Sequence, residues 1–283
     1  MAWFIGAGLG KTGAGALFGP VGICASVCAF AAYQLYQHAR QGQAGARRRL
    51  IIERQENGDM DSSEVEEFLH LGSADRYKHI LKNKRPFTRE GYVYHVEADH
   101  IPPLQSLHRA REQREFPLLK YKNPNLYRIV MEMKTDPRGQ ERLTVQVPTD
   151  LHRAALSSGN STASTECRLL LARRIASGET TLMLKQAFII AHPFSSQQIR
   201  RTAGLPGMEN KIPQKIELKR DRIVKIYKKA FLTLIRMYCD IEMIIDCKER
   251  DDLIEYVEKG MYLNEESEEY KEILDIVRRN SRR

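Results

Sequence analysis

Two consecutive prolines, Pro102-Pro103, constrain this chain more than any other feature. Proline donates no backbone hydrogen bond and breaks a helix interior. A strand that runs into such a pair must stop and turn. The residues before it do read as a strand. Tyr92, Tyr94, Val96 and Ala98 alternate with Val93, His95 and Glu97, the period of two that a pleated segment requires. The strand therefore ends at Asp99-His100, which puts an acid and an imidazole side by side where the chain leaves the sheet.

The sequence downstream predicts a mixed fold. Leu104 to Arg114 reads as a helix. Tyr127, Ile129, Met131 and Met133 share one face of a predicted strand, Asp136-Pro137-Arg138-Gly139 reads as a turn, and Leu143, Val145 and Val147 form the returning strand. Thr149 or Asp150 then caps a helix that carries His152 near its first turn. Ser157 to Ser161 breaks it. Ala163 to Ala176 reads as a second helix ending at Ser177-Gly178, and Met183 to Ala191 as a third. Lys215 to Arg279 is predicted helical, with a break at Met261 to Asn264. Ile223, Ile226, Tyr227, Phe231, Leu234, Ile235 and Tyr238 fall at helical spacing there, a stripe that reads as core or partner-facing. The expected class is α+β. The expected parts are an apolar segment 1–45, a polar helical linker 46–90, a core domain 91–205 and a helical C-terminal region 206–283.

Thr12 to Gln37 contains no charged residue, and that length can cross a bilayer. Arg40 and Arg47 to Arg49 follow it, which by the positive-inside rule places the rest of the chain in the cytosol. The alternative is a buried helical hairpin or a loose Gly/Ala-rich segment, and Pro20 weakens a helix. Five cysteines with no Cys-x-x-Cys pair point to a reducing compartment and away from a cysteine-built zinc site. Gly10-Lys11-Thr12 is not a phosphate-binding loop, because the position that needs the first glycine holds Ile5.

The charge balance of 45 basic to 36 acidic residues permits a phosphate-polymer partner without requiring one. The excess is uneven. Gly91 to Asn210 holds 16 Lys/Arg against 11 Asp/Glu, whereas Lys211 to Arg283 holds 17 against 16. The basic surplus thus accompanies the Asp99-His100 region.

A carboxylate and an imidazole that hold a cation, with a second imidazole that activates water, form the group set of a one-metal phosphodiesterase. Asp99-His100-Ile101-Pro102-Pro103, Asp150-Leu151-His152-Arg153 and the following Gly159-Asn160-Ser161 and Arg168 resemble the HNH/endonuclease VII superfamily, in particular its toxin-type nucleases. The resemblance covers about Tyr92 to Gly178. It implies a small ββα-metal-type nuclease core with flanking helices. It also implies roles. Asp99 and His152 bind a divalent metal, with Mg²⁺ expected first and Mn²⁺ or Zn²⁺ as alternatives. His100 deprotonates the attacking water. Asp150 is either a further ligand or a helix cap. Arg153 touches the phosphate, and Arg168, Arg173 and Arg174 track the backbone of DNA or RNA.

Two functions stay open at this point. One is a metal-dependent endonuclease, tethered to a membrane through residues 12–37. The other is a catalytically inactive protein of the same fold, acting as a membrane-associated interaction or effector module, with the C-terminal helices meeting a protein partner.

Overall fold

The structure is a computed structural model that describes residues 71–83, 87–89, 92–94, 96–205, 220–244 and 246–281. All of these lie in one compact unit, Met60–Arg283. The described elements run β1 (Ala74–Arg76), α1 (Tyr77–Asn83), β2 (Phe87–Arg89), β3 (Tyr92–Tyr94), β4 (Val96–His100), α2 (Leu104–Ala110), α3 (Phe116–Lys122), α4 (Pro124–Glu132), β5 (Leu143–Pro148), α5 (Thr149–Ala154), α6 (Thr162–Ser177), α7 (Thr180–Ala191), α8 (Pro193–Thr202), α9 (Arg220–Asp240), α10 (Cys247–Glu258), a 3₁₀ turn (Met261–Leu263) and α11 (Glu268–Ser281). The class is α+β: mostly helical around a small antiparallel sheet.

That sheet has three strands in the order β1-β5-β4. β5 is central and buried along its whole length, Thr144 and Gln146 included, because both of its faces are covered. It pairs with β4 from Val96↔Pro148 to His100↔Thr144. The single strand expected from Tyr92 onward is split in two: β3 pairs with β2 in a separate hairpin, and β4 begins at Val96.

The expected strand at Tyr127 to Met133 is a helix, α4. Its start carries helix signals: the Asn123 side chain accepts the Leu126 N–H at 2.9 Å, and Pro124 occupies the first helical position. The buried set Leu126, Ile129, Val130 and Met133 has helical spacing. The β-period reading of the same segment used Tyr127 and Met131, which are only partly buried. Three helices, α2 to α4, therefore fill the connection between β4 and β5. The cap of α5 also differs from expectation. The helix starts at Thr149, and its cap position is Pro148, which supplies no side-chain bond.

α6 begins at Ser161, whose hydroxyl accepts the Ser164 N–H at 3.1 Å, and ends at Gly178, left-handed at φ 76°. α7 is buried nearly all round, from Met183 and Leu184 to Ala191, as a helix at the centre of a core must be. The apolar stripe of α9 seals this core. Phe231 stacks on Phe188 of α7 with centroids 4.4 Å apart, and the Tyr238 hydroxyl donates to the Ile101 carbonyl beside the Pro-Pro turn. The C-terminal helices thus share one core with the sheet and α7. Burying a side chain such as Phe231 contributes about 1.5–3 kcal/mol.

Among the described residues no helix is long and apolar enough to cross a membrane. The described fold therefore offers no transmembrane helix, against expectation. Thr12–Gln37, where the span was expected, lies outside the described residues, as do the whole 1–45 segment and most of the linker 46–90.

Candidate functional site

β4 and β5 form an antiparallel pair, and α5 follows β5 with no loop between them. The helix begins at the end of the pair where Val96 opposes Pro148. α5 brings His152 onto β4. Alternate strand residues share a face, so Glu97 and Asp99 stand together and His100 points the other way.

His152 meets both carboxylates. Its Nδ1 comes within 3.3 Å of Asp99 Oδ2, and its Nε2 lies 3.5 Å from Glu97 Oε2. The Nδ1 contact lacks the alignment of a hydrogen bond, which leaves that buried nitrogen without a bonded partner. The other oxygen of Glu97 lies 3.6 Å from Arg153 Nη2. The cluster runs from interior to surface: side-chain exposure is 4% at Asp99, 28% at Glu97 and 66% at Arg153. Burial lowers the His152 pKa, but Asp99, by its charge and by its close approach to the ring, and then the charge of Glu97 more than offset it, and the net shift is upward.

Asp99 is held from behind. Ser157 Oγ donates to its Oδ2 at 3.1 Å. Ser157 belongs to the loop after α5, and Arg168 shapes that loop: its guanidinium donates to the carbonyls of Ser157 at 3.4 Å and Gly159 at 2.8 Å. The residue expected to track a nucleic-acid backbone is therefore buried as a loop clamp.

His100 occupies the opposite face of β4. Its ring packs on Tyr77 with centroids 4.8 Å apart, and Nε2 lies 3.2 Å from the Gly139 carbonyl. A carbonyl only accepts, so Nε2 carries the proton and Nδ1 keeps its lone pair. Burial pulls the His100 pKa down, which favours this neutral form. The turn comes this close because residue 139 is glycine. It has φ +64°, and a Cβ there would stand 2.9 Å from His100 Nε2.

The structure thus brings Asp99 and His152 together and sets His100 on the other side of the strand. Asp150 lies in the first turn of α5, partly buried. Of the other arginines, Arg174 is engaged by Glu179 at 2.5 Å and Glu272 at 2.6 Å, and Arg173 is exposed on α6. Sequence reasoning missed Glu97, Ser157 and Gly139 as site residues. Glu97 did leave a signal: it sits two strand positions before Asp99, hence on the same face. Among the described residues no three His, Cys, Asp or Glu side chains stand as a ready-made metal-ligand set.

Comparison of the chain with known protein families, with curated proteins and with solved structures finds no match.

Proposed function

We propose that this protein is a metal-dependent endonuclease of the HNH/endonuclease VII type, hydrolysing phosphodiester bonds of DNA or RNA. One observation carries the reading: an antiparallel strand pair runs directly into a helix, and that helix delivers His152 to within 3.3 Å of Asp99. The strand-strand-helix order supports a ββα-metal core whose connection has been enlarged by α2 to α4.

The residues present supply donors of the kind a divalent cation takes, although no three of them stand as a ligand set among the described residues. Asp99 and Glu97 offer hard oxygen donors, and His152 Nδ1 is a buried nitrogen with no hydrogen bond beside one of them. Asp99 and His152 would hold the ion, with Mg²⁺ as the first expectation. When bound, the ion would neutralise charge developing on the phosphate. The remaining roles belong to the chain. Ser157 and Arg168 keep Asp99 in place. His100, neutral and with Nε2–H fixed on the Gly139 carbonyl, faces away from Asp99 and His152 on the other side of β4, so the base role expected of it is not carried over. The exposed Arg153 meets a phosphate oxygen.

A second reading has its own support. His152 already faces a carboxylate with each ring nitrogen, and Arg168 and Arg174 are consumed inside the fold. That pattern suits a nuclease-fold protein that binds a partner without catalysis. The deciding experiment is cleavage of plasmid DNA and of single-stranded RNA by the intact chain, with Mg²⁺ and with EDTA. Divalent-dependent cleavage supports the enzyme. Its absence with Mg²⁺, Mn²⁺ and Zn²⁺ supports the second reading.

A further inference from the structure

We propose that Arg168, Arg200 and the first turn of α6 form a binding site for a phosphate-type oxyanion. The site needs no cation and stands apart from the metal-dependent reading. It lies where the loop after α5, the start of α6 and the last turn of α8 meet. Leu156 of the loop donates its N–H to Ser196 Oγ of α8 at 2.9 Å. Arg168 of α6 holds the same loop by the Ser157 and Gly159 carbonyls. Arg200, in the last turn of α8, donates through Nη2 to Ser164 Oγ, in the first turn of α6, at 3.4 Å.

Two positive charges are thus enclosed: Arg168 is 4% exposed and Arg200 7%. Among the described residues no Asp or Glu pairs with either, and Arg109 of α2 adds a like charge beside Arg168. The Cys167 thiol lies within electrostatic reach of both guanidiniums, but burial pushes it up to about 12. It therefore stays neutral and supplies no counter-charge. A buried charge without a counter-charge is costly. Carbonyls relieve Arg168 in part. Arg200 has only the hydroxyl of Ser164 among the described residues, and the Nε of each arginine has no hydrogen-bond partner. The groups around them are donors or can turn to donate: the hydroxyls of Ser161, Ser164 and Thr165. The sixteen-residue α6 adds the positive end of its dipole. Convergent N–H and O–H donors around uncompensated guanidiniums suit phosphate, which a guanidinium can grip by two oxygens at once. Gly159, Asn160, Ser161 and Thr162 are exposed and form an open rim. The depth of the arginines favours a free phosphate or a terminal phosphate group over the backbone of a continuous strand.

The test is titration calorimetry of the intact chain, without divalent metal and at constant ionic strength in chloride. The probes are inorganic phosphate and a trinucleotide with either a 5′-phosphate or a 5′-hydroxyl. The wild type should bind inorganic phosphate, the 5′-phosphorylated trinucleotide, or both. Binding of inorganic phosphate alone makes the ligand a free oxyanion, and binding of the phosphorylated trinucleotide makes it a strand end. Arg200→Met should bind at least about tenfold more weakly. Ser164→Ala, which keeps both charges, should also bind more weakly. Phosphate should raise the melting temperature of the wild type and not of Arg200→Met. In phosphate-free buffer Arg200→Met should melt no lower than the wild type, because an uncompensated buried charge is gone. A wild type that binds neither phosphate probe overturns the proposal. So does equal binding of the two trinucleotides without binding of inorganic phosphate. Unchanged affinity in Arg200→Met, or a lower melting temperature of that variant in phosphate-free buffer, overturns it as well.

Discussion

Oδ2 of Asp99 lies 3.3 Å from Nδ1 of His152, and the same oxygen accepts the Ser157 hydroxyl at 3.1 Å. One buried carboxylate thus ties the end of β4 to α5 and to the loop that follows it. Asp99→Ala should do two things at once. Ser157 loses a buried acceptor, which costs about 1–3 kcal/mol, and on the metal-dependent proposal a ligand is lost. Urea unfolding should show the first, and loss of Mn²⁺ binding the second. A variant of wild-type stability would mean that the carboxylate contributes nothing to the fold.

Gly139 should tolerate no side chain. Alanine there meets a left-handed backbone, which costs roughly 1–2 kcal/mol, and its Cβ meets the His100 ring at 2.9 Å. Gly139→Ala should lower stability by about that amount, read by urea unfolding. Mn²⁺ affinity should stay unchanged. A variant of wild-type stability would show that the turn accommodates a side chain.

Some of this site was legible before the fold was known. The strand end at Asp99-His100 followed from the prolines, and a histidine in the first turns of a helix after Leu143, Val145 and Val147 followed from the change of period. Their meeting did not follow from spacing alone, since β5 had to pair with β4. The partner assigned to β5 in the sequence was Tyr127 to Met133. That segment has apolar residues at both strand and helix spacings, and the start signal Asn123-Pro124 decides for helix. The side of the strand that His100 takes follows from simple alternation, as does the place of Glu97. Arg168 was opaque for a different reason: a guanidinium buried against carbonyls and one exposed to phosphate look identical in a sequence.

The arginines should separate by experiment. Arg168→Met removes donors to the Ser157 and Gly159 carbonyls and should cost more than about 1.5 kcal/mol of stability. It should leave the salt dependence of DNA binding unchanged. Arg153→Ala should do the reverse, keeping stability and reducing the slope of log K against log salt by about one. Binding titrations from 50 to 200 mM salt would read the difference, roughly the span over which such slopes are measured.

His192 should make the protein acid-sensitive. Its ring is fully buried among Phe194, Tyr227 and Tyr262, and neither nitrogen has a hydrogen-bond partner. Burial, with the charge of Arg220, lowers its pKa to about 3. The unfolded chain binds this proton near pH 6.5 and the folded chain does not until about 3. Stability is therefore complete above the unfolded value. It falls by about 1.4 kcal/mol per pH unit as the pH drops from 6.5 toward 3. Urea unfolding at pH 7.5 and 4.5 should show a larger loss in the wild type than in His192→Phe. Equal losses would mean that His192 is not the source.

The most direct test of the nuclease proposal is the cleavage rate of the intact chain with Mg²⁺, set beside that of His152→Ala. The wild type should cut DNA or RNA, and EDTA should stop it. His152→Ala should lose both cleavage and Mn²⁺ binding, because its ring is the imidazole that stands beside Asp99. No divalent-dependent cleavage in the wild type would contradict the nuclease reading, and unchanged cleavage in His152→Ala would contradict its place in the site.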